Sequence, residues 1–396
     1  MHPAKDIECS KSEKLKGRKI VLGVTGSIAA VDSVKLCREL VRHGAEVHVV
    51  MSGEAQKVIH PYSLEFASGN AVTTEIDGRV QHVAFCGYVP DKADLLLIAP
   101  ATANTISKIA HGIDDTPVTT FATTAIGTGI PVIVVPAMHG SMIHNKIVLD
   151  NVNRLRENGV IVLEAKMAEA KAKMPGMEDI VAAAISQIGR GDMRGIDVLV
   201  IAGSTEEQVD DIRLITNKSS GETGIELAKA AYERGANVEL WMGRCDVAVP
   251  LYLKTTRFSS TASLKELVDG MSERDIVLFP AAVSDYSPDR YSGKIPSTDE
   301  FITLTLRRNP KLIDSVKAKT VVGFKAQSRI EDDILVAEAE DLIRRSGCAF
   351  VVANKVEQVS SGSTRVLMVG VNGSTVEISG AKKIVADKIL DRAMKR

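Results

Sequence analysis

Short apolar runs rich in valine, isoleucine and leucine recur along the 396-residue chain, and they limit its possible folds more than any other feature. Buried strands of a parallel sheet have this continuous apolar character, because helices cover both of their faces. The first set of runs lies at residues 20–24, 47–51, 95–99, 132–135 and 161–163, with amphipathic helical patterns between them. This alternation predicts an α/β fold with a doubly wound sheet.

The same pattern then starts again, which predicts a second domain. Its runs lie at residues 198–201, 238–241, 276–279, 321–324 and 350–352. A chain of this length is expected to form two or three domains, and the glycine-rich stretch GRGDMRG separates the two sets of runs. We therefore predict a polar N-terminal extension (1–18), a first domain (19–190), a linker (191–195) and a second domain (196–396).

Composition and charge narrow the class of protein. A net formal charge of -1 favours neither nucleic-acid nor membrane binding. The polar N-terminus lacks the apolar segment of a signal peptide, and no apolar run approaches the ~20 residues of a spanning helix. The five cysteines form no CxxC pair, which favours free thiols over a disulfide framework or a zinc site. We expect a soluble, cytoplasmic protein.

The turns after the apolar runs contain the candidate binding residues of the first domain. Ligands of doubly wound sheets lie beyond the carboxyl ends of the strands, where this chain has TGS, MSG, APATANT and PAMHG. The turn VTGSIAA lacks the third glycine of a dinucleotide fingerprint. It still places Ser27 at a helix N-terminus, where a phosphate is favoured. The alternative is an ordinary turn in which Ser27 is only a helix cap.

Longer motifs in the first half resemble those of a known family. The stretch IAPATANTISKIAHGIDDTPVTT, followed by VVPAMHGSM and preceded by QHV, is similar to the flavin-dependent cysteine decarboxylases, and most closely to phosphopantothenoylcysteine decarboxylases. The similarity extends over about residues 19–188. It implies a flavodoxin-like domain that binds FMN at a subunit interface of a trimer. The implied FMN-binding residues are Gly26, Ser27, Ser52, Thr102, Ala103 and Asn104.

His82 is the catalytic residue that this resemblance implies. In the family, oxidation of the substrate thiol by FMN allows CO2 to leave, and an imidazole that titrates near neutrality assists proton movement. A lone histidine before an apolar strand is otherwise more often structural. The resemblance also implies substrate contacts by Met138, His139 and Met142.

Two departures from the family pattern concern this first site. The family motif is PAMN, and in this chain His139 occupies the position of the asparagine. An imidazole, like the asparagine amide, donates a hydrogen bond. The stretch EAKMAEAKAKMPG lacks the flap cysteine that protonates the enethiolate in many bacterial members. One alternative is that Lys171 or Lys173 covers the substrate. The other is that these lysines are solvated. Cys86 is an alternative proton donor, although buried cysteines are usually inert.

The second half resembles another enzyme family. The stretch AGSTEEQVDDIRLITNKSSGETG is similar to the signature of the phosphopantothenoylcysteine synthetases, and AAVSDY, GKI, NPKLI, VVGFKAQ and VANKV follow in the family order. Without those later motifs, ITNKSSG alone would favour a polar loop before a helix. The resemblance covers about residues 197–388. It implies a Rossmann-like ligase that activates the carboxylate of 4′-phosphopantothenate with a nucleotide and couples it to cysteine.

The resemblance also implies the roles of individual residues in this ligase. Asn217 orients the acyl-nucleotide, and Lys294 neutralises charge that develops during attack by the amine. A solvated loop lysine is the alternative for Lys294. The implied nucleotide-binding residues are Ser219, Ser220, Gly221, Ala281, Asp285, Lys294, Phe324 and Lys325.

Departures from the bacterial ligase pattern bear on the nucleotide. The chain has KIPS where bacterial ligases have KIKK, and GFKAQ where they have GFAAE. Both changes resemble archaeal members, for which CTP is the expected nucleotide, and ATP stays an alternative. We expect Mg²⁺ to bridge the phosphates, without identifying its protein ligands.

The two resemblances together predict a bifunctional enzyme of coenzyme A synthesis. Two alternatives are a ligase whose flavin half is inactive or regulatory, and a flavoprotein prenyltransferase. The regulatory alternative predicts that His82 and the ligase half are lost. This chain has both His82 and a ligase half. The prenyltransferase alternative does not explain residues 196–396. The resemblance implies trimers of the flavin half and dimers of the ligase half, which together build a dodecamer.

Overall fold

The structure, a computed structural model, describes residues 2–164, 166–168, 171–297, 300–360 and 362–395. The side chains of residues 166–168 and 171–173 lie outside this description, so Lys171 and Lys173 cannot be placed beyond their backbone. The chain forms two compact units, Met1–Gly191 and Asp192–Arg396, which we describe separately.

The first unit alternates strands and helices over most of its length. In chain order its elements are α1 (Pro3–Asp6), β1 (Lys19–Val24), a 3-10 helix (Ile28–Asp32), α2 (Ser33–Arg42), β2 (Glu46–Met51), α3 (Gly53–Gln56), α4 (Pro61–Ser68), α5 (Gln81–Cys86), β3 (Leu95–Ala101), α6 (Ala103–Ala110), α7 (Pro117–Gly127), β4 (Val132–Pro136), β5 (Met138–His139), α8 (Gly140–Ile143), α9 (Lys146–Glu157), β6 (Ile161–Val162), β7 (Lys166–Ala168), β8 (Lys171–Lys173) and α10 (Met177–Ile188).

The main sheet of this unit is parallel and has the strand order β2-β1-β3-β4-β6. Apolar residues of α2, α4 and α10 pack on one face, and those of α6, α7 and α9 pack on the other. The sheet is therefore doubly wound, as predicted. The chain continues from β2 to β3 on the far side of β1, so the topological switch point, where ligands of such folds bind, lies between β1 and β3.

Residues 2–18, which we expected to be an extension outside the first domain, pack onto it. Leu15 is fully buried in the core beside α2. Ser12 Oγ lies 2.7 Å from His43 Nδ1, and Lys11 forms an ion pair with Glu39. The polar composition hides this packing because only a few apolar side chains, among them Ala4, Ile7 and Leu15, anchor the segment.

The second unit also begins with alternating strands and helices. In chain order its elements are β9 (Asp197–Ala202), β10 (Glu206–Gln208), β11 (Leu214–Thr216), α11 (Glu222–Glu233), β12 (Asn237–Met242), β13 (Lys254–Arg257), α12 (Thr261–Asp269), β14 (Arg274–Phe279), β15 (Tyr286–Pro288), β16 (Leu306–Arg308), a 3-10 helix (Leu312–Ser315), β17 (Ala318–Gln327), α13 (Asp332–Ser346), β18 (Phe350–Lys355), a 3-10 helix (Val356–Gln358), β19 (Val359–Ser360), β20 (Ser363–Gly370), β21 (Thr375–Ala381) and α14 (Lys382–Ala393).

The large sheet of this unit has the order β13-β12-β9-β14-β17-β18-β20-β19, and β21 pairs with β20. The strands from β13 to β18 are parallel, whereas β19, β20 and β21 are antiparallel additions. Helices α11 and α14 cover one face, and α12 and α13 cover the other. The chain passes from β13 to β14 across β9, so this switch point lies between β9 and β14.

Small antiparallel elements project from both sheets. The hairpins β10–β11 and β15–β16 belong to the second unit, and β5–β8–β7 belongs to the first. Within the described residues, no helix is both long and apolar enough to cross a membrane.

Candidate active sites

In the first unit, Thr25 joins the two sides of the switch point. Its Oγ1 donates to the carbonyl of Pro100 at 2.8 Å and accepts from the N–H of Thr102 at 3.0 Å. The turns that follow β1 and β3 are therefore held next to each other. This brings the predicted cofactor residues Ser27 and Thr102 to the same edge of the sheet.

Each of the three turns at this edge ends in a capped helix start. Ser27 accepts from Ala29 N–H at 3.4 Å, and Thr102 accepts from Thr105 N–H at 3.2 Å. Ser52 accepts from Ala55 N–H at 3.2 Å. The capping role of Ser27 is thus present. It does not conflict with phosphate binding, because the other N–H groups of a helix start still point outward.

Gly26 is needed for close packing at this edge. A Cβ atom at this position would lie 2.4 Å from Glu54 Cβ, so only glycine lets the first turn approach α3. Ser52 N–H donates to the Val24 carbonyl at 3.0 Å and fixes the start of α3 to the end of β1. Of the remaining predicted residues, Ala103 is buried and Asn104 is exposed on the first turn of α6.

His82 lies on α5, which packs against α7. Its Nδ1 atom is buried and has no hydrogen-bond partner among the described residues. A buried polar atom without a partner costs about 1–3 kcal/mol, so this nitrogen favours a hydrogen bond with a ligand or a water molecule. The hydrogen bonds of the described residues do not join His82 to the caps at the switch point.

Cys86 shares α5 with His82, one helical turn away, as its alternative role requires. Its side chain is fully buried in the core formed with α6 and α7. Burial raises the pKa of the Cys86 thiol to about 12, against a smaller opposing effect of Lys92. The thiol is therefore protonated and enclosed, which matches an inert core cysteine better than a proton donor.

The predicted substrate residues lie where the β5–β8–β7 strands meet α8. Met138 pairs through its backbone with Ala172 of β8, and Met142 is an exposed residue of α8. The exposed His139 caps α8, since its Nδ1 accepts from Ser141 N–H at 3.3 Å. A backbone N–H can only donate, so the neutral ring carries its hydrogen on Nε2. His139 can thus present a donor, as the family asparagine does.

In the second unit, hydrogen bonds join the chain segments after β9 and β14. Ala282 N–H donates to the Gly203 carbonyl at 2.8 Å, and Ser284 N–H donates to Thr205 Oγ1 at 3.0 Å. Asn217 Nδ2 donates to the Ala282 carbonyl at 3.0 Å. The predicted catalytic Asn217 therefore lies at the switch point, next to the predicted nucleotide residue Ala281.

The turn 219–221 leads directly into α11 at this switch point. Gly221 has a left-handed backbone with φ of 75°, and a Cβ atom there would lie 2.8 Å from Cys245 Cβ. One turn later, a Cβ atom on Gly224 would lie 2.1 Å from Ala202 Cβ. The two glycines let α11 begin against the end of β9, with Ser219 and Ser220 partly exposed on the turn.

Asp210 is a site residue that we did not predict. Its buried carboxylate accepts from the N–H groups of Ile295, Arg213 and Ile212 at 3.0, 2.6 and 2.8 Å. Burial opposes ionisation, but these donors and the Arg213 charge outweigh it and lower the pKa of Asp210 to about 2. Asp210 thereby holds the loop that contains the exposed Lys294. The aspartate of the synthetase signature is the signal that marks it.

Glu207 is a second residue of the signature that acts from a buried position. It accepts from Thr261 N–H at 2.9 Å, from Thr261 Oγ1 at 2.6 Å and from Ser287 Oγ at 2.9 Å. These bonds attach the β10–β11 hairpin to the start of α12 and to β15. The predicted nucleotide residue Asp285, which lies directly before β15, is exposed and forms an ion pair with Lys311.

Phe324 and Lys325 lie on opposite faces of β17. Phe324 packs against the core formed with α11 and α14. Lys325 Nζ lies 2.9 Å from Glu338 Oε2 on α13, and Gln327 Nε2 donates to the same oxygen at 2.6 Å. Successive residues of a strand point to opposite faces, so only Phe324 is on the face of the turn 219–221.

Among the described residues, no group of three or more histidine, cysteine or acidic side chains is placed to hold a metal ion.

Comparison with known proteins identifies the family. The sequence model of the family described as Flavoprotein matches residues 8–189. The model described as DNA/pantothenate metabolism flavoprotein C-terminal domain matches residues 193–396. The coenzyme A biosynthesis bifunctional protein CoaBC of Thermococcus kodakarensis is 42% identical over 405 residues, covering 100% of this chain and 99% of that protein. The chain belongs to the family of coenzyme A biosynthesis bifunctional proteins.

Two further proteins are similar to this chain. The protein of the same name from Methanocaldococcus jannaschii is 35% identical over 403 residues, covering 100% of this chain and 98% of that protein. A crystal structure of the C-terminal domain of a coenzyme A biosynthesis bifunctional protein is 26% identical, with a TM-score of 0.42, and covers 52% of this chain and 96% of that chain.

Membership in this family confirms the predicted fold class and function. The chain is a bifunctional enzyme of coenzyme A biosynthesis, with a flavin-dependent decarboxylase as its first half and a ligase as its second. The resemblance to archaeal members is confirmed by the two archaeal relatives.

Proposed function

We propose that the second half couples 4′-phosphopantothenate to cysteine with CTP, and that the first half decarboxylates the product with FMN to give 4′-phosphopantetheine. The supporting observation is that Thr25 holds the turns of Ser27 and Thr102 together at the switch point of the first sheet, and that Asn217 and the turn 219–221 lie at the switch point of the second. Ligands of doubly wound folds bind at that point.

The residues of the first unit fit an FMN phosphate and ring. The helix starts after Gly26, Ser52 and Thr102 supply N–H groups at one edge, where an anion is favoured. We assign the phosphate to Ser27 and Ser52, and the ring to the turn formed by Thr102, Ala103 and Asn104. Bound FMN supplies an acceptor for the electrons of the substrate thiol.

The chain's own residues then orient the substrate and move its proton. The Nδ1 of His82 has no hydrogen-bond partner within the part of the chain that the structure describes, which supports this ring as the group for proton movement. His139 presents its Nε2–H to the substrate carboxylate, and Met138 and Met142 provide apolar contacts.

In the second unit, charge builds up between the substrate carboxylate and the α-phosphate of the nucleotide, so hydrogen-bond donors and a cation must converge there. We assign the phosphates to Ser219, Ser220 and Gly221, and orientation of the acyl-nucleotide to Asn217. Lys294, held in place through Asp210, neutralises the developing charge. Ala281, Asp285 and Phe324 contact the base and ribose.

Lys325 has a more distant place in this proposal. Its ion pair with Glu338 lies on the other face of β17 from Phe324. The lysine must leave Glu338 to reach a nucleotide phosphate across the strand end. We keep it as a proposed nucleotide residue on this condition.

CTP is the proposed nucleotide, because GFKAQ and KIPS both depart from the bacterial motifs. Mg²⁺ enters as a complex with the nucleotide, since this ion is usually bound through substrate phosphates and only one or two carboxylates. We further propose a cytoplasmic homo-oligomer, a dodecamer built from trimers of the first half and dimers of the second.

A single assay tests the proposal. The purified chain is first checked for the yellow colour of bound flavin. It is then supplied with 4′-phosphopantothenate, cysteine, Mg²⁺ and either CTP or ATP. We expect CMP, pyrophosphate and CO2 with CTP, and 4′-phosphopantetheine as the product. Nucleotide cleavage without CO2 contradicts the decarboxylase step, and turnover with ATP alone contradicts the choice of CTP. Light scattering of the same sample measures the size of the assembly.

A further inference from the structure

Helices α11 and α14 begin next to each other, and an ion pair between a buried lysine and a partly exposed glutamate joins their first residues. Lys382, the first residue of α14, is only 5% exposed. Its Nζ pairs with the carboxylate of Glu222, the first residue of α11. The other carboxylate oxygen of Glu222 accepts from Gly362 N–H at 3.2 Å, and Lys382 N–H donates to the Gly362 carbonyl at 2.9 Å.

The position of Lys382 is electrostatically unfavourable without Glu222. A cation at a helix N-terminus opposes the helix dipole, and burial disfavours the charged form of a lysine. Glu222 compensates for both effects. The pair is therefore a coupled unit and not two independent surface charges.

This pair lies beside the proposed nucleotide site. Glu222 directly follows Gly221 of the phosphate-binding turn. Lys382 also lines a cavity of about 30 Å³ together with Thr223 of α11 and Phe324 of β17. The pair thus lies on the same face of the sheet as the residues that we assign to the nucleotide.

The charge of Glu222 would oppose nucleotide binding if it were not neutralised. Its carboxylate lies within one residue of N–H groups that are to bind a polyphosphate, and like charges in a partly buried setting repel strongly. Lys382 supplies the opposite charge at that point.

We propose that Lys382 is a positioning residue of the ligase: it neutralises the charge of Glu222, so that the turn 219–221 can accept the phosphates of the nucleotide. The proposal rests on the proposed nucleotide-dependent function of this site. It assigns a role to a lysine that does not itself contact the nucleotide.

Binding of Mg²⁺-CTP to the full chain, measured by calorimetry, tests this role with Lys382→Met, Glu222→Gln and the double variant. Lys382→Met is expected to raise the Kd by ~10-fold, a typical size for an unneutralised charge near the site. Glu222→Gln is expected to lower the Kd, because the lysine charge is then available to the phosphates. The double variant should return to within ~3-fold of the wild type. Lys383→Met, an exposed neighbour, is the matched control.

The signs of the Kd changes separate neutralisation of the Glu222 charge from a purely structural role of the pair. A structural pair would weaken binding in both single variants and would not be rescued in the double variant, and this outcome overturns the proposal. Loss of affinity in Lys382→Met should also diminish as salt is raised, because screening weakens the repulsion. A wild-type chain that binds neither CTP nor ATP contradicts the nucleotide function itself. Tight wild-type binding with unchanged variants contradicts only the role of Lys382.

Discussion

At the residue scale, burial has opposite consequences for His82 and Cys86, which lie one turn apart on α5. The His82 Nδ1 is enclosed without a hydrogen-bond partner among the described residues, so its ring is available for a ligand. The Cys86 thiol is enclosed by apolar side chains, and burial raises its pKa to about 12.

We expect His82→Asn to lower CO2 release by at least ~100-fold while FMN stays bound, because loss of a general acid–base group has effects of this size. Flavin content from the visible spectrum and CO2 release from labelled substrate are the two measurements. His111→Asn is the matched control, since His111 is exposed at the end of α6. Full activity in His82→Asn would rule out the assigned role.

We expect Cys86→Ser to leave the decarboxylation rate within about twofold of the wild type, because a thiol with a pKa of about 12 is a poor proton donor at pH 7. Its stability should fall by about 1–3 kcal/mol, since a hydroxyl without a guaranteed partner enters an apolar core. Mass spectrometry of the products is the check. Accumulation of the enethiol would show instead that Cys86 protonates the intermediate.

At the scale of single elements, the carboxylates of the β10–β11 hairpin hold segments that contain residues of the proposed ligase site. Glu207 binds the start of α12, and Asp210 binds the N–H of Ile295 beside Lys294. The hairpin itself has few buried residues, so its place depends on these bonds. The lysine loop therefore depends on a residue more than eighty positions earlier in the chain.

We expect Asp210→Asn to release the loop around Lys294 and to lower ligase kcat by ~10-fold, with little change in decarboxylation of supplied substrate. Limited proteolysis at residues 294–297 should become faster. The neighbouring Asp211→Asn is the matched control, because Asp211 is exposed and pairs only at the surface with Arg290. Equal proteolysis of the two variants would contradict the role of Asp210.

The pKa of Asp210 also predicts an acid dependence. Its folded-state pKa of about 2 is below the unfolded value of ~3.9. Its contribution to stability is therefore complete above about pH 4 and is lost as the pH falls through about 2. Between these values the wild type should lose more stability than Asp210→Asn, as measured by urea unfolding. Parallel losses would contradict the assignment.

At the scale of the whole molecule, the chain divides between Gly191 and Asp192, at the near end of the predicted linker. Met193, inside that linker, is fully buried in the core of the second unit. Arg234 is buried and binds Asp192 at 2.6 Å. Residues 192 and 193 therefore belong to the second unit, whereas composition alone had suggested a free connection.

We expect a fragment of residues 192–396 to fold, and a fragment of residues 196–396 to be less stable by about 2–5 kcal/mol. The shorter fragment loses the buried Met193 side chain and leaves the Arg234 guanidinium without Asp192. Urea-unfolding midpoints of the two fragments are the measurement. Equal midpoints would show that the segment is a linker after all.

The sequence alone predicts the doubly wound fold, because each parallel strand is a continuous apolar run and the turn residues directly follow their strands in the chain. The position of Ser27 in the turn after the first apolar run is likewise visible in the sequence, and the family resemblance implied Asn217 and Gly221 as site residues. Four features became visible only in the tertiary structure. They are the antiparallel strands β20 and β21, the buried Asp210, the opposite faces of Phe324 and Lys325, and the Glu222–Lys382 pair. These features depend on contacts between residues far apart in the chain, where burial and charge compensation are decided by packing and leave no local pattern.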